Sequence, residues 1–363
     1  MINVTKSYLP PIEEYVEYLQ RIWASNQLTN NGPLVRELEQ KLKDYLSVKH
    51  LFFVCNGTIA LQIAIKALNL HGEIITTPFS YVATTSSIVW EGCQPVFADI
   101  DPETFCIDPE QIEQKITPKT TAILATHVYG YPCNVKRIQE IADQYGLKLI
   151  YDAAHAFGVQ YQGTSILNYG DISTLSFHAT KLFHTIEGGA VVTNDDELAQ
   201  RIAYMRNFGH KGQKDFWGLG INGKNSEFNA AMGLCVLPKV PKLISLRKNL
   251  CNSYDELLNI RKIHRPKCPG NTTENYSYYP ILFDFEENLL RTVHIFNENN
   301  IFPRRYFFPS LNNLPYLLRS EYQPCPASES AARRVLCLPL YDDLNETDVM
   351  RISSIVVDSM SSS

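Results

Sequence analysis

The sequence has no apolar run long enough to cross a bilayer, and residues 1–11 contain no apolar core of the length that a secretory signal requires. These absences predict a soluble, cytoplasmic protein with no membrane partner. Charge of one sign is also scarce: 33 Lys and Arg stand against 38 Asp and Glu, leaving a net charge of -5. Such a balance excludes a general polyanion-binding surface and so nucleic acid as a partner, while leaving room for one local basic pocket. The nine cysteines are odd in number, scattered and without one Cys-x-x-Cys, which fits neither a disulfide framework nor a zinc cluster. Reduced, mostly buried thiols and no metal site are expected. Internal repeats are lacking too. The only biased segment is the Ser-rich tail 359–363, expected to fray.

What is present is material for a large core, since 45% of the 363 residues are hydrophobic and only 20% are charged. Between about residues 50 and 193, short β-rich runs alternate with helical patterns, the rhythm of a mostly parallel sheet covered by helices. The runs 51–55, 73–77, 95–99, 121–126, 147–152, 172–177 and 189–193 read as seven strands, with helical spacing over 60–68 and 135–145. Residues 12–25 and 33–46 read as amphipathic helices around an Asn-, Gly- and Pro-containing turn at 28–33. After about residue 230 come a long helical stretch, a strand near 276–283, a helix near 287–299 and a strand near 335–338. The predicted division is therefore a leader plus large α/β domain over 1–235 and a small α+β domain over 236–363.

Chemistry gathers at three places. In Ile150-Tyr-Asp152-Ala-Ala-His155-Ala an acid closes a strongly apolar strand, at the sheet edge where open α/β folds bind ligands. A lone strand-end Asp is as often a helix cap. Ser176-Phe-His-Ala-Thr-Lys181 follows another apolar strand and leads into Glu187-Gly-Gly-Ala190. Burial lowers a lysine's pKa and frees its amine for imine chemistry, although a single lysine ending a strand more often extends to solvent. In Cys55-Asn-Gly57-Thr58 a strand turns into a helix, whose free N–H groups make an anion site that Gly57 lets a ligand approach. Thr58 by itself would also serve as an N-cap. Together the three supply a phosphate cradle, a carboxylate for a pyridinium N–H and an amine for an aldehyde, which are the three handles of pyridoxal 5'-phosphate (PLP).

With Thr126-His-Val-Tyr-Gly130 and the stretch from Gly220-Ile-Asn222 to Glu227-Phe-Asn-Ala-Ala-Met-Gly233, these motifs make the chain resemble the DegT/DnrJ/StrS family of sugar aminotransferases over essentially its whole length. The resemblance implies an α/β, type I PLP-dependent aminotransferase fold with a mostly parallel seven-stranded sheet and a small α+β C-terminal domain. It implies that Lys181 forms the Schiff base and shuttles the proton, and that Asp152 keeps the pyridine nitrogen protonated. Tyr81, in Pro78-Phe-Ser-Tyr81-Val, would cover one face of the ring, and His155 would contact it. Gly57, Thr58 and Ser176 would hold the phosphate, with Asn222 reaching it from the other subunit of a homodimer that shares its active sites. His127 and His178 read as structural. Two departures stand out: Asn56 occupies a position where the family commonly has Ser, and Lys224-Asn225 one where many members have Arg-Met.

Lys181 separates the chain from dehydratase relatives, in which a histidine replaces the lysine. The implied reaction is ping-pong: glutamate converts PLP to pyridoxamine 5'-phosphate, and a nucleotide-linked keto sugar then takes the amine. Arg304, Arg305 and Tyr306, in a segment dense in aromatics, are candidates to grip a diphosphate and stack a sugar or base, although aromatics on a half-buried strand are ordinary. By resemblance, Tyr8, Asn31 and Glu187 face the substrate as well. The Phe-His-Ala-Thr-Lys and Glu-Gly-Gly contexts are more similar to members that aminate C4 of dTDP-4-keto-6-deoxy-D-glucose, for O-antigen or a related glycan, than to the C3-specific group with its Pro-Gly-Lys. A C3 aminotransferase, another nucleotide sugar and a non-catalytic PLP-fold regulator stand as alternatives.

Overall fold

The computed structural model describes residues 1–258, 263–317 and 323–361. Seven strands form the large sheet: β1 (His50–Val54), β2 (Glu73–Thr76), β3 (Gln94–Phe97), β4 (Thr120–Thr126), β5 (Lys148–Asp152), β6 (Ile172–Ser176) and β7 (Gly189–Thr193). Their order is β1-β7-β6-β5-β4-β2-β3, and only β7 runs against its neighbours. Central strands are apolar on both faces because helices cover both; every residue of β7 is buried. The expected sheet is thus present, with strand ends moved by one or two residues.

The first four helices are α1 (Ile12–Ser25), α2 (Pro33–Leu46), α3 (Gly57–Ala67) and α4 (Val82–Trp90). The third begins at Gly57 rather than at the expected residue 60, because the side chain of Asn56 accepts from the Ile59 N–H at 2.9 Å and caps it. Glu227 is fully buried, and its carboxylate accepts from the Leu34 and Val35 N–H groups at 2.8 and 2.9 Å, capping the Pro-initiated α2 across the chain. A Cβ on Gly32 would lie 2.5 Å from that carboxyl carbon, so the glycine before α2 is a requirement of this cap.

The long helical stretch after residue 230 resolves into Glu227–Val236, one 3-10 turn and Val240–Leu257. A second core joins Tyr254, Tyr279, Leu289, Phe296, Leu336 and Val349, and it includes Ile2. Ile2–Asn3 pairs in parallel with Ile301–Phe302, so the first residues of the chain pack with its C-terminal part. The strand expected over 276–283 is shorter, Tyr279–Leu282, because Tyr276 takes a positive φ of 51°. The serine tail does not fray at residue 359: the last helix, Glu346–Ser361, continues through it, and the buried Ser359 hydroxyl sits 2.6 Å from that of Thr292. Residues 362 and 363 lie outside the described residues. All nine cysteines are free, and all but Cys55 and Cys268 are buried.

Candidate active site

β5 is the middle strand, and its last residue, Asp152, opens into a cavity of about 290 Å³. Burial pushes the Asp152 carboxyl up from its ordinary range. Two donors act the other way: Thr84 Oγ1, at 2.8 Å from one carboxylate oxygen, and the Ala154 N–H, at 3.1 Å from the other. Thr84 is itself held by Ser80, whose hydroxyl lies 2.7 Å from it and 3.1 Å from that of Thr126. Three hydroxyls therefore support one buried carboxylate.

Lys181 lies in the loop between β6 and β7 and enters the same cavity. Burial lowers its pKa to about 8, opposed by Asp152 and then by Tyr81. The two charged groups form no salt bridge; they influence each other across the cavity, leaving both functional atoms open to a bound group. The Lys181 amine donates to the Tyr278 hydroxyl at 3.3 Å. His155 stacks on Phe307 with centroids 5.5 Å apart and meets Tyr278 edge-on at 4.9 Å. Its Nδ1 is buried without a partner, and burial holds the ring's pKa well down, so the imidazole is neutral.

The N-terminus of α3 lines the cavity through Asn56, Gly57 and Thr58, with Ser176 beside them. A Cβ on Gly57 would stand 3.0 Å from the Ser176 Cβ, so glycine is what lets β6 and the helix end converge there. The Gly-Gly turn serves the same corner: a Cβ on Gly189 would meet the Asn56 carbonyl carbon at 2.5 Å. Asn225 and Asn229 donate to the Glu187 carbonyl oxygen at 2.9 and 2.7 Å and pin that turn. Three handles thus meet in one cavity: helix N-terminal N–H groups with two hydroxyls, a buried carboxylate, and an amine of lowered pKa.

The sequence candidates divide by position. Asp152, His155, Lys181, Gly57, Thr58, Ser176, Tyr81, Glu187 and Tyr306 line the cavity. Tyr81, exposed at the mouth, and Tyr306 also border a second cavity of about 470 Å³ with Arg304, Arg305 and Phe308. Arg305 is already engaged: it donates to Glu286 at 2.7 Å and to the Arg333 carbonyl oxygen at 2.9 Å, and lies over the Phe308 ring at 3.7 Å. Tyr8, Asn31 and Asn222 do not line either cavity within the chain. The Tyr8 carbonyl oxygen lies 2.7 Å from His184 Nε2, and the Asn31 carbonyl oxygen accepts from Arg36 at 2.7 Å. Asn222 is exposed and bridges to Asn207.

His127 stacks on Tyr151 at 4.6 Å with its Nδ1 accepting from the Cys133 N–H, a structural place outside the cavity. Thr84, Tyr278 and Phe307 are site residues that sequence reasoning missed. For Thr84 a signal existed: α4 carries Thr84, Thr85 and Ser87 buried, an unusual density of hydroxyls for a helix interior face. Among the described residues no group of three or more His, Cys, Asp or Glu could hold a metal ion, and no helix is long and apolar enough to cross a membrane.

Known proteins give an independent bearing. The model of the DegT/DnrJ/EryC1/StrS aminotransferase family matches residues 11–357. The chain is 43% identical to a dTDP-4-amino-4,6-dideoxy-D-glucose transaminase of Escherichia coli, with 99% of each chain covered. It is 44% identical to the enzyme of that name from Shigella dysenteriae over 95% of each. Among solved structures, DesI with its TDP-sugar product superposes with a TM-score of 0.94 at 33% identity, covering 99% of this chain and 93% of that one. Helicobacter pylori PseC, an aminotransferase of pseudoaminic acid biosynthesis, gives 0.92 at 26% identity with 100% of each covered.

Proposed function

The chain belongs to the DegT/DnrJ/EryC1/StrS aminotransferase family, and on that premise we propose that it binds PLP and transfers an amino group from glutamate to C4 of dTDP-4-keto-6-deoxy-D-glucose. The observation that carries this reading is the convergence of Lys181, Asp152 and the α3 N-terminus on one cavity. The residues fit the cofactor. Asp152, whose carboxyl group accepts from Thr84, suits a pyridinium N–H; Gly57, Thr58 and Ser176 suit its phosphate; Tyr81 and His155 offer aromatic faces to the ring. When bound, PLP supplies an electron sink for the charge that develops as a substrate carbon loses its proton.

Lys181 is the base. An amine whose pKa lies near 8 is both basic enough to take a proton and weak enough to return it, so one residue serves each half of a ping-pong cycle. Asp152 would face the ring nitrogen, whose positive charge favours its carboxylate form, and His155, neutral, adds no competing charge. For the sugar, the support is similarity to the transaminases of Escherichia coli and Shigella dysenteriae, together with the second cavity beside Tyr81 and Tyr306.

We assign the protein to the cytoplasm, to biosynthesis of O-antigen or a related glycan, and to a homodimer in which Asn222 serves the neighbouring protomer's phosphate site. The exposed Phe208, Phe216, Trp217, Leu219 and Ile221 lead up to Asn222, and an apolar loop of this kind is suited to burial against a second copy. Incubation with glutamate and dTDP-4-keto-6-deoxy-D-glucose, followed by NMR of the product, is expected to show nitrogen on C4. An amine on C3, or a sugar left unchanged, would overturn the assignment.

A further inference from the structure

Tyr278 belongs to none of the strand-end motifs that define the site, yet its hydroxyl oxygen accepts a hydrogen bond from the Lys181 amine, 3.3 Å away. Its ring is confined on three sides, with centroids 4.9 Å from His155, 5.6 Å from Tyr306 and 5.8 Å from Tyr129. The loop that presents it is tied down as well. Asn275 donates to the carbonyl oxygens of His155 and Phe157 at 2.8 and 3.0 Å, and Ser277 donates to that of His155 at 3.1 Å. The loop before Tyr279–Leu282 is thereby fastened to the loop after β5. By contrast Lys181 has four rotatable bonds, and its amine must meet a bound group at one place.

We infer that Tyr278 is a positioning residue for Lys181: its hydroxyl, fixed by the aromatic cage and the Asn275 clamp, selects the rotamer in which the amine faces the cofactor carbonyl. A hydroxyl suits this task better than a carboxylate would. It accepts from an ammonium and both donates to and accepts from a neutral amine, so the contact survives each change of protonation on Lys181. A carboxylate at that distance would favour the ammonium and disable the base. The inference rests on the reading of Lys181 as the reacting amine.

The test separates the covalent step from cofactor affinity. In the covalent step the Nζ lone pair attacks the aldehyde carbon of PLP, a C=N bond forms, and one water leaves. Pyridoxamine 5'-phosphate has no aldehyde, so its binding reports the pocket alone. Tyr278→Phe removes one oxygen and keeps the ring. For this variant, stopped-flow absorbance is expected to show PLP capture about five- to tenfold slower than wild type, the loss of one hydrogen bond. Its affinity for pyridoxamine 5'-phosphate should stay within twofold. An unchanged capture rate overturns the inference, as does a parallel loss in both measurements, which would make Tyr278 part of the pocket wall only. Lys181→Ala distinguishes the two layers: if it still captures PLP covalently, the assignment of Lys181 fails, whereas its loss of capture beside an unaltered Tyr278→Phe removes only the role of Tyr278.

Discussion

Thr84→Val tests the electrostatic centre of the site. Thr84 is fully buried, and its hydroxyl gives Asp152 one of two hydrogen bonds, at 2.8 Å. Burial drives the Asp152 carboxyl toward its neutral form, and the Thr84 hydrogen bond is the largest influence opposing it. Valine fills nearly the same volume but cannot donate, so the substitution acts on charge more than on packing. A hydrogen bond to a charged acceptor contributes about 1.5–3 kcal/mol, which corresponds to a factor of about 10–150 in an equilibrium constant. If an ionised Asp152 holds the cofactor ring, that factor should appear in the Kd for pyridoxamine 5'-phosphate, measured by titrating the cofactor-free protein. Thr84→Ser, which keeps the donor, should stay within about threefold of wild type. Wild-type affinity in Thr84→Val would refute the reasoning, and so would a serine variant as weak as the valine one, which would point to the lost methyl contact instead.

Competitive acylation of the cofactor-free protein should show Lys181 titrating at about 8, below an ordinary lysine, because burial disfavours its charged form; a midpoint near 10.5 would remove the argument for its basicity. Glu227→Ala should lower stability by about 2–4 kcal/mol in urea unfolding, since two N–H groups at the start of α2 lose a buried carboxylate; a loss below 1 kcal/mol would show that water replaces it. Burial keeps His127 neutral down to about pH 3, while the unfolded chain takes up its proton near 6.5. Its folded pKa is depressed, so the stability linked to it is full above about 6.5 and is lost as pH falls toward 3, amounting to about 2 kcal/mol between pH 7 and 5. His127→Gln should flatten the acid limb by that amount; an unchanged limb would mean that the ring gains its proton without unfolding.

The parts of the fold that were legible are those carried by local pattern. Apolar runs marked the seven strands to within a residue or two, and the groups that each strand end carries, Asp152, Lys181 and Gly57-Thr58, were legible because they sit at fixed offsets from those runs. The errors came where a distant partner decides the local structure. A positive φ at Tyr276 shortened a predicted strand, and the Asn275 clamp on residues 155 and 157 is what holds that bend. The serine tail looked too polar to order, yet Ser359 finds the Thr292 hydroxyl on a neighbouring helix.

The same distinction separates the residues that act from the residues that make them act. Lys181 and Asp152, the residues proposed to act, announce themselves in sequence; Thr84 and Tyr278, which hydrogen-bond to Asp152 and Lys181, lie 68 and 97 residues away from them along the chain. A buried carboxylate and a buried amine in one cavity would, without such partners, settle into the neutral acid and an unaimed side chain. Arg305 shows the converse. Its guanidinium stands out in the sequence beside Arg304, but its Nη2 is already committed to Glu286 and to the Arg333 carbonyl oxygen. Arg304, on the same cavity, carries no such engagement among the described residues, so of the two arginines it is the one free to meet an anionic ligand. The cost of Arg304→Gln should therefore fall on binding of the sugar nucleotide, whereas Arg305→Gln should first weaken the packing of the C-terminal part.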